Sequence, residues 1–503
     1  MKSILEFLQA TADARPSHPA VIEESGVCTY GELLACSRRT GSALAARIVP
    51  RTPVPVLLDK GRRSLYAFFG VVYAGGFYVP LNPDLPAPRL CKMLDVLRAP
   101  YLITEQRLLP LARRLFPTHA VLCIEDLLQT PANDALLARV QADMSDADPL
   151  YCMFTSGSTG TPKGVLIRHH SVLKFIPSFT SLFGIGADDI IGNQAPFDFD
   201  VSVKDIYAAV YTGATLVLIP RRLFSQPAAL IDFLCTHSVT SLTWAASALG
   251  LVSALHGLDY RVPDRVRRVL FSGETLPPVH LHRWMQALPQ ADFVNLYGPT
   301  EITCNCAYHR VERSRNYPQG LPLGRAFPHA RVFLLDENGQ EIVHPEQRGE
   351  ICVSGDGLAL GYLHAPAQTA RVFVQHPTRP GERIYRTGDI GRYGDGGELY
   401  FCGRRDHQIK RMGHRIELEE IEQAAALQAG VSQCCCVFDA HKNRLYGFYT
   451  GPAGAEAVLK GMRDLLPACM VPGTLTQLEQ LPLTPRGKAD RAHLLRMAGG
   501  EAS

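Results

Sequence analysis

The chain has 503 residues, too many for one ordinary hydrophobic core, so two or more domains are expected. Apolar residues make up 46% and charged residues 20%, the balance of a globular protein rather than of a disordered or membrane-spanning one. A formal charge of +3 over this length offers no electrostatic footing for nucleic acid or for an anionic membrane surface.

The opening, Met1 to Leu8, is apolar enough to suggest a leader. Glu6, Gln9, Thr11, Asp13 and Arg15 interrupt any apolar core, and the apolar positions recur at helical spacing. An amphipathic first helix in a cytoplasmic protein is expected. No run approaches the length needed to cross a bilayer. Fourteen cysteines are scattered, apart from the run Cys434-Cys435-Cys436, and Cys304 and Cys306 lack a zinc-site spacing. Reduced, mostly buried thiols are expected.

Short β-rich apolar runs then alternate with helical patterns. Val54–Leu58 reads as a buried strand, 63–74 as a helix closed by Gly75-Gly76, and Tyr101–Thr104 and 120–124 as further strands. The series continues with strands at 215–219, 241–244, 269–272 and 293–296, and with helices at 226–236 and 279–287 between them. The pattern predicts an α/β fold with largely parallel sheets. From about Leu321 to Arg404 turn residues become frequent and the strands (331–335, 349–353, 398–401) shorten, as in a small barrel or sheet. Gly403 to Gln408 is polar and aperiodic, which suits an exposed hinge. Beyond it, 417–426 reads as an acidic-started helix opening a small α+β domain. The expected architecture is a large N-terminal part, 1–405, of two α/β subdomains plus a small β-barrel-like one, and a small mobile C-terminal domain, 406–503.

One loop carries chemistry by itself. The apolar strand Tyr151-Cys152-Met153-Phe154 runs into Thr155-Ser156-Gly157-Ser158-Thr159-Gly160-Thr161-Pro162-Lys163-Gly164. Its glycines let backbone N–H groups face inward, and its hydroxyls and lysine add donors, so it reads as an anion cradle. It is not a Walker A loop, because no Gly precedes the lysine and no Ser or Thr follows it.

This stretch resembles the signature loop of the adenylate-forming superfamily, which includes acyl-CoA synthetases, firefly luciferase, the adenylation domains of nonribosomal peptide synthetases and D-alanine–carrier protein ligases. The resemblance covers essentially the whole chain, with its parts in the family's order. Thr29-Tyr30-Gly31-Glu32-Leu33 and Ala74-Gly75-Gly76-Phe77-Tyr78-Val79-Pro80 match early structural motifs. Asn295-Leu296-Tyr297-Gly298-Pro299-Thr300-Glu301 matches the nucleotide motif, and Tyr385-Arg386-Thr387-Gly388-Asp389 the ribose motif. Gly403 to Ile416 matches the hinge, and Pro482-Leu483-Thr484-Pro485-Arg486-Gly487-Lys488 the terminal lysine motif.

The resemblance implies ATP as co-substrate with Mg²⁺. Attack of a carboxylate on the α-phosphorus brings two anions together, so catalysis is mainly charge neutralisation and positioning. By resemblance Glu301 is the Mg²⁺ ligand, a hard oxygen suited to a metal shared with phosphate. Thr300 donates to the α-phosphate, Tyr297 and Asn295 take adenine, and the main chain near Gly273 and Glu274 borders the base. Asp389 accepts the ribose hydroxyls, although a turn-forming Asp after Gly388 is also expected. Arg404 helps hold ribose or phosphate. Lys488, read alone, is an ordinary basic tail; the resemblance makes it the residue that bridges the carboxylate and the α-phosphate. Asp406 is the implied hinge, whose rotation withdraws Lys488 and brings the loop near Gly413 to the site.

Substrate is most legible in Phe197-Asp198-Phe199-Asp200-Val201-Ser202-Val203-Lys204. In amino-acid-activating members the aspartate at the Asp200 position binds the substrate's α-ammonium, and a carboxylate there implies a cationic partner. Lys204 lies four residues on and shares a helical face with Asp200. Three readings stay open: it pairs with Asp200 and closes the site to amines, it binds an acidic or polar substrate side chain, or it points to solvent. The other implied pocket positions are Val201, Thr243, Leu270, Ser272, Leu296, Cys304 and Asn305. The chain is most similar to D-alanine–carrier protein ligases, which carry Met at the Lys204 position and Cys at the Ser272 position. Both departures fall in the selecting pocket. No carrier module follows Lys488, so the expected acceptor is the phosphopantetheine thiol of a separate carrier protein, with Arg405, Lys410 and Arg411 as candidate receivers and a monomer as the working unit. Coenzyme A as the acceptor is the alternative.

Overall fold

The computed structural model describes residues 1–117, 120–157, 160–440, 442–484 and 488–499. The chain divides into two compact units. The first holds Met1–Pro83, Leu97–Met153 and Val165–Arg405; the second holds Asp84–Val96, Phe154–Gly164 and Asp406–Ser503. The second unit is therefore discontinuous in sequence, and the anion-cradle loop is part of it.

Among the described residues, one nine-stranded sheet orders its strands 325–326, 307–310, 292–297, 268–272, 241–245, 190–193, 215–218, 19–23 and 26–29. Its central strands run parallel: Ser241–Ala245 pairs with Arg268–Ser272 residue for residue, and Arg268–Phe271 with Asp292–Asn295. A seven-stranded sheet is built on the parallel pair Pro53–Leu57 and Phe77–Leu81. A third, antiparallel sheet of six strands is centred on Arg348–Gly355 and Arg383–Tyr393. Two parallel α/β sheets and a small antiparallel one are the expected fold class, with element ends shifted by one to three residues. Parallel strands need crossover helices, and the sequence alternation supplied them.

Local chemistry explains the early motif. Thr29 caps the helix Tyr30–Ala45 by accepting from the Glu32 N–H, and Glu32 reaches back to the Thr29 backbone, a full capping box. The Tyr30 hydroxyl is then buried between the carbonyls of Ala209 (2.7 Å) and Ala214 (2.6 Å), tying this helix to the end of another, Val201–Thr212. That second helix is enclosed: every residue from Ser202 to Val210 is buried. Its position decides the character of the site.

In the second unit, Gln408–Arg411 and His414–Glu417 form a hairpin whose two-residue turn, Met412-Gly413, has positive φ at both positions, as a tight hairpin demands. A three-stranded sheet (433–439, 444–450, 474–477) packs with the helices Leu418–Ala426 and Ala455–Leu465. The cysteine run lies in the first of these strands, with Cys435 and Cys436 buried. All fourteen cysteines are free thiols and none is exposed, as expected. No helix among the described residues is long and apolar enough to cross a membrane. The proposed hinge stretch is exposed from Arg405 to His407, but Gln408 is buried. Its side-chain amide donates to Glu417 at 2.7 Å across the hairpin, a partner the linear sequence could not reveal.

Candidate active site

In the first unit the strand Asp292–Tyr297 delivers the nucleotide motif. Asn295 Nδ2 donates to the Pro322 carbonyl at 2.9 Å, which fixes the amide plane, and Tyr297 is buried at the strand's end. The Tyr297 hydroxyl donates to Asp389 Oδ2 at 2.5 Å, and Arg404 Nη1 pairs with Asp389 Oδ1. Burial first, and the Asp389 carboxylate second, push the Tyr297 phenol well above its ordinary range, so it stays a donor. Asp389 follows a turn in which its own N–H bonds Thr387 Oγ1, so the turn expected after Gly388 is present. Gly273 and Glu274 follow the strand Arg268–Ser272, with Gly273 in the left-handed region at φ +96°.

Thr300 opens a short 3₁₀ turn, Thr300–Ile302, that carries Glu301 fully buried. Glu301 Oε1 accepts from the Tyr362 hydroxyl at 2.8 Å. The two residues after this turn, Thr303 and Cys304, both have positive φ (60° and 67°), a strained conformation for side chains that the surroundings must enforce. Enforcement comes from Thr303 Oγ1 donating to the Gly357 carbonyl (2.7 Å) and from Gly298, which lies hard against the strained pair. A Cβ at Gly298 would meet Asn305 Cα and the Cys304 carbonyl oxygen at 2.5 Å. Gly298→Ala is expected to cost about 3 kcal/mol, read as a lower denaturant midpoint with unchanged slope.

The strained turn delivers Cys304 and Asn305 to the end of the helix Val201–Thr212. Cys304 Sγ donates to the Asp200 carbonyl at 3.1 Å, and Lys204 Nζ donates to Asn305 Oδ1 at 2.7 Å. Asp200 stands half-buried as the residue before the helix, less enclosed than its sequence context implied. Lys204 is 0% exposed, so the solvent-facing reading is overturned. The reason is that its helix is enclosed on all sides, so the lysine stem cannot reach water. Burial pulls the Lys204 pKa below the ordinary lysine range, against the opposing pull of Cys304, Asp205 and Asp200. Thr243, Leu270, Ser272 and Leu296 are buried on the three neighbouring strands and Val201 is half-buried. The nine implied pocket positions thus come from one helix, three adjacent strands and one strained turn.

Sequence reasoning missed Asp205. It is buried, accepts from Asn193 Nδ2 at 2.8 Å, and lies in the fields of Lys204 and Lys60. Lys60 itself donates to the carbonyls of Asn193 (2.9 Å), Gln194 (3.2 Å) and Ile219 (3.3 Å). Burial pushes the Asp205 carboxyl up to about 7. An acid held protonated in the fold while the unfolded chain ionises near pH 4 makes stability fall as pH rises from about 4 to about 7, by at most about 4 kcal/mol. The unfolding midpoint of the protein is expected to drop over that window, and that of Asp205→Asn to stay nearly flat. Equal slopes for the two proteins would refute the assignment.

In the second unit the anion-cradle loop is closed at Gly157, where a Cβ would sit 2.0 Å from the Thr161 carbonyl oxygen, and the Gly160 N–H bonds the Gly157 carbonyl at 2.9 Å. Thr155 Oγ1 is buried with no hydrogen-bond partner among the described residues, a donor without a protein acceptor. Ser156 Oγ donates to the Arg415 carbonyl at 2.8 Å. Lys163 lies within electrostatic reach of Glu417. Ser158 and Thr159 lie outside the described residues, as do Pro485, Arg486 and Gly487 of the terminal motif. Lys488 is exposed, on a turn where its N–H bonds Thr484 Oγ1 (3.2 Å), and Asp406 is exposed at the start of the unit. Of the candidate carrier-receiving cations, Arg411 is held by the Cys469 carbonyl (2.7 Å) and Arg405 sits 3.5 Å from Glu350.

Residues 8–363 match the family model described as AMP-binding enzyme, and the chain belongs to that family. It shares 31% identity over 512 residues with surfactin synthase subunit 1 of Bacillus subtilis (strain 168), covering 98% of this chain and 14% of that protein. The chain thus spans about one seventh of that relative's length. Among solved structures, holo-PA1221, described as a nonribosomal peptide synthetase protein containing adenylation and PCP domains, superposes with a TM-score of 0.82 at 26% identity, covering 99% of this chain and 84% of that one. IdnL1 superposes with a TM-score of 0.79 at 30% identity, covering 96% and 98%.

Proposed function

We propose that this protein uses ATP to activate an amino acid as its aminoacyl adenylate and then transfers it to the phosphopantetheine thiol of a carrier protein. In the first step a carboxylate oxygen attacks the α-phosphorus and the bond to pyrophosphate breaks. In the second a thiolate attacks the acyl carbon and AMP leaves. The observation that carries the reading is the position of Asp200, at the start of an enclosed helix and one turn from the buried Lys204–Asn305 pair. A carboxylate at that place suits an α-ammonium, which it can meet with a charge-assisted hydrogen bond.

Asp389, with Tyr297 and Arg404 on its two oxygens, would orient the ribose through the remaining lone pairs of a carboxylate. Thr155, Ser156 and Lys163 would hold the phosphates, and Lys488 would neutralise charge between carboxylate and α-phosphate. The buried Glu301 carboxylate, steadied by Tyr362, fits a hard divalent cation. Mg²⁺ there would supply charge neutralisation on the phosphates. Lys204, a buried cation already bonded to an amide oxygen, favours a substrate side chain that ends in an acceptor, acidic or polar.

Amino-acid-dependent ATP–pyrophosphate exchange, run over both enantiomers of the amino acids with simple fatty and aryl acids alongside, tests the reading. Exchange with one amino acid bearing an acceptor-tipped side chain is expected. Exchange only with acids lacking an amine would replace this reading with a coenzyme A ligase.

A further inference from the structure

The second unit brings the helix Ala87–Leu97 and the C-terminal segment onto the two ends of the phosphate loop. Arg89 pairs with Glu420 of the helix Leu418–Ala426, with side-chain exposures of only 11% and 4%. Glu420 Oε2 is buried with no hydrogen-bond partner among the described residues, so the carboxylate depends on that one arginine. One turn along the first helix, Lys92 Nζ donates to the Gly160 carbonyl at 3.0 Å. One turn along the second, Gln423 lies against Gly160, its Oε1 only 2.2 Å from where a Cβ would be. The loop is therefore gripped at Gly160 from both helices, and the Arg89–Glu420 pair fastens those helices together.

At the other end of the loop the hairpin takes up the groups that would meet phosphate. Ser156 Oγ donates its hydrogen bond to the Arg415 carbonyl, and the Glu417 carboxylate stands in the field of Lys163. A triphosphate needs the same proton and the same positive charge. It would also bring further negative charge beside Glu417.

We propose that Arg89 and Glu420 are positioning residues for the phosphate loop, whose buried pair fastens the loop in an arrangement that excludes pyrophosphate and the β- and γ-phosphates of ATP. Loop fastening and phosphate binding then compete for Ser156 and Lys163. Departure of pyrophosphate frees the loop to be fastened, and fastening opposes pyrophosphate's return. The inference rests on the phosphate-loop assignment made above, but not on the identity of the acid.

The test is calorimetric binding of magnesium pyrophosphate to the full chain and to Glu420→Gln, Arg89→Met and Lys92→Met. Lys92 is exposed, so its variant keeps the test open if the buried substitutions fail to fold. Loosening the grip is expected to tighten binding, about threefold for Lys92→Met and about tenfold for Glu420→Gln. The sign separates the proposal from a merely structural role, because damage to the loop would weaken binding. In single-turnover assays the same variants are expected to keep pyrophosphate exchange and to slow transfer to the thiol. Unchanged or weaker pyrophosphate binding in the variants would overturn the clamp. Absence of binding to the unaltered protein and to every variant would overturn the phosphate-loop assignment and the clamp with it. Tighter binding in the variants, with no amino acid supporting exchange, would uphold the clamp and sink only the amino-acid reading.

Discussion

Lys204→Met is expected to lower kcat/KM for the preferred amino acid by about 10²–10³-fold while leaving the protein as stable as before, within about 2 kcal/mol. The two halves of that expectation have different causes. Lys204 is a cation removed from water, and a substrate acceptor that met it would form a charge-assisted bond in a site without solvent competition. Losing such a bond costs about 3–4 kcal/mol of transition-state binding, which is the stated factor in rate. Stability responds less, because methionine matches the lysine stem in volume and removes a buried charge. Against that gain stands Asn305 Oδ1, which loses its donor, a cost of about 1–3 kcal/mol. The check is exchange kinetics across the amino-acid panel beside a denaturant melt. The variant should lose its preference for acceptor-tipped side chains and gain activity toward small apolar ones. A variant with the same preference as the parent would mean that Lys204 serves the fold alone, by tethering Asn305.

Asp200→Asn is the complementary case. Removing the carboxylate is expected to reduce kcat/KM for the amino acid by about 10–10²-fold, because the α-ammonium would lose a charged partner. Asp200 is only half-buried, so solvent screens part of the loss and the effect should stay below that of a fully enclosed pair. The matching acid without its amine should change little, since it carries no ammonium for the carboxylate to meet. Equal losses for the two substrates would show that Asp200 acts through the backbone at the start of its helix, where its carbonyl accepts from Cys304, rather than through the ammonium.

Both substitutions alter one pocket, and their effects should not add. Lys204 lies in the fields of both Asp200 and Asp205. Neutralising Asp200 leaves Lys204 with one compensating charge fewer, so the double variant should recover part of the stability lost by Asp200→Asn alone. A denaturant cycle of the four proteins measures that coupling.

Contiguous chemistry was legible in the chain. The glycines and hydroxyls of 155–164, the capping box at Thr29 and Glu32, the alternation of strand and helix, and the motif from Asn295 to Glu301 each act within a few residues. Backbone sterics and local hydrogen bonds determine such features, so their sequence is their explanation. The direction of Lys204 was not legible, because periodicity tells which residues share a helical face but not whether that face meets water. The nine-stranded and seven-stranded sheets and their helices enclose Val201–Thr212, and only that enclosure turns an ordinary lysine into a buried cation held by an amide 101 residues away. Asp205 gave no signal at all, since its donor Asn193 and the nearby charge of Lys60 are brought to it only by folding. The contacts at Gly160 belong to the same kind. Arg89 and Glu420 are separated by 331 residues, and each alone reads as a solvated charge on an amphipathic helix. Residue order set the chemistry available at every position, and tertiary packing decided which charges lost their water and had to find one another instead.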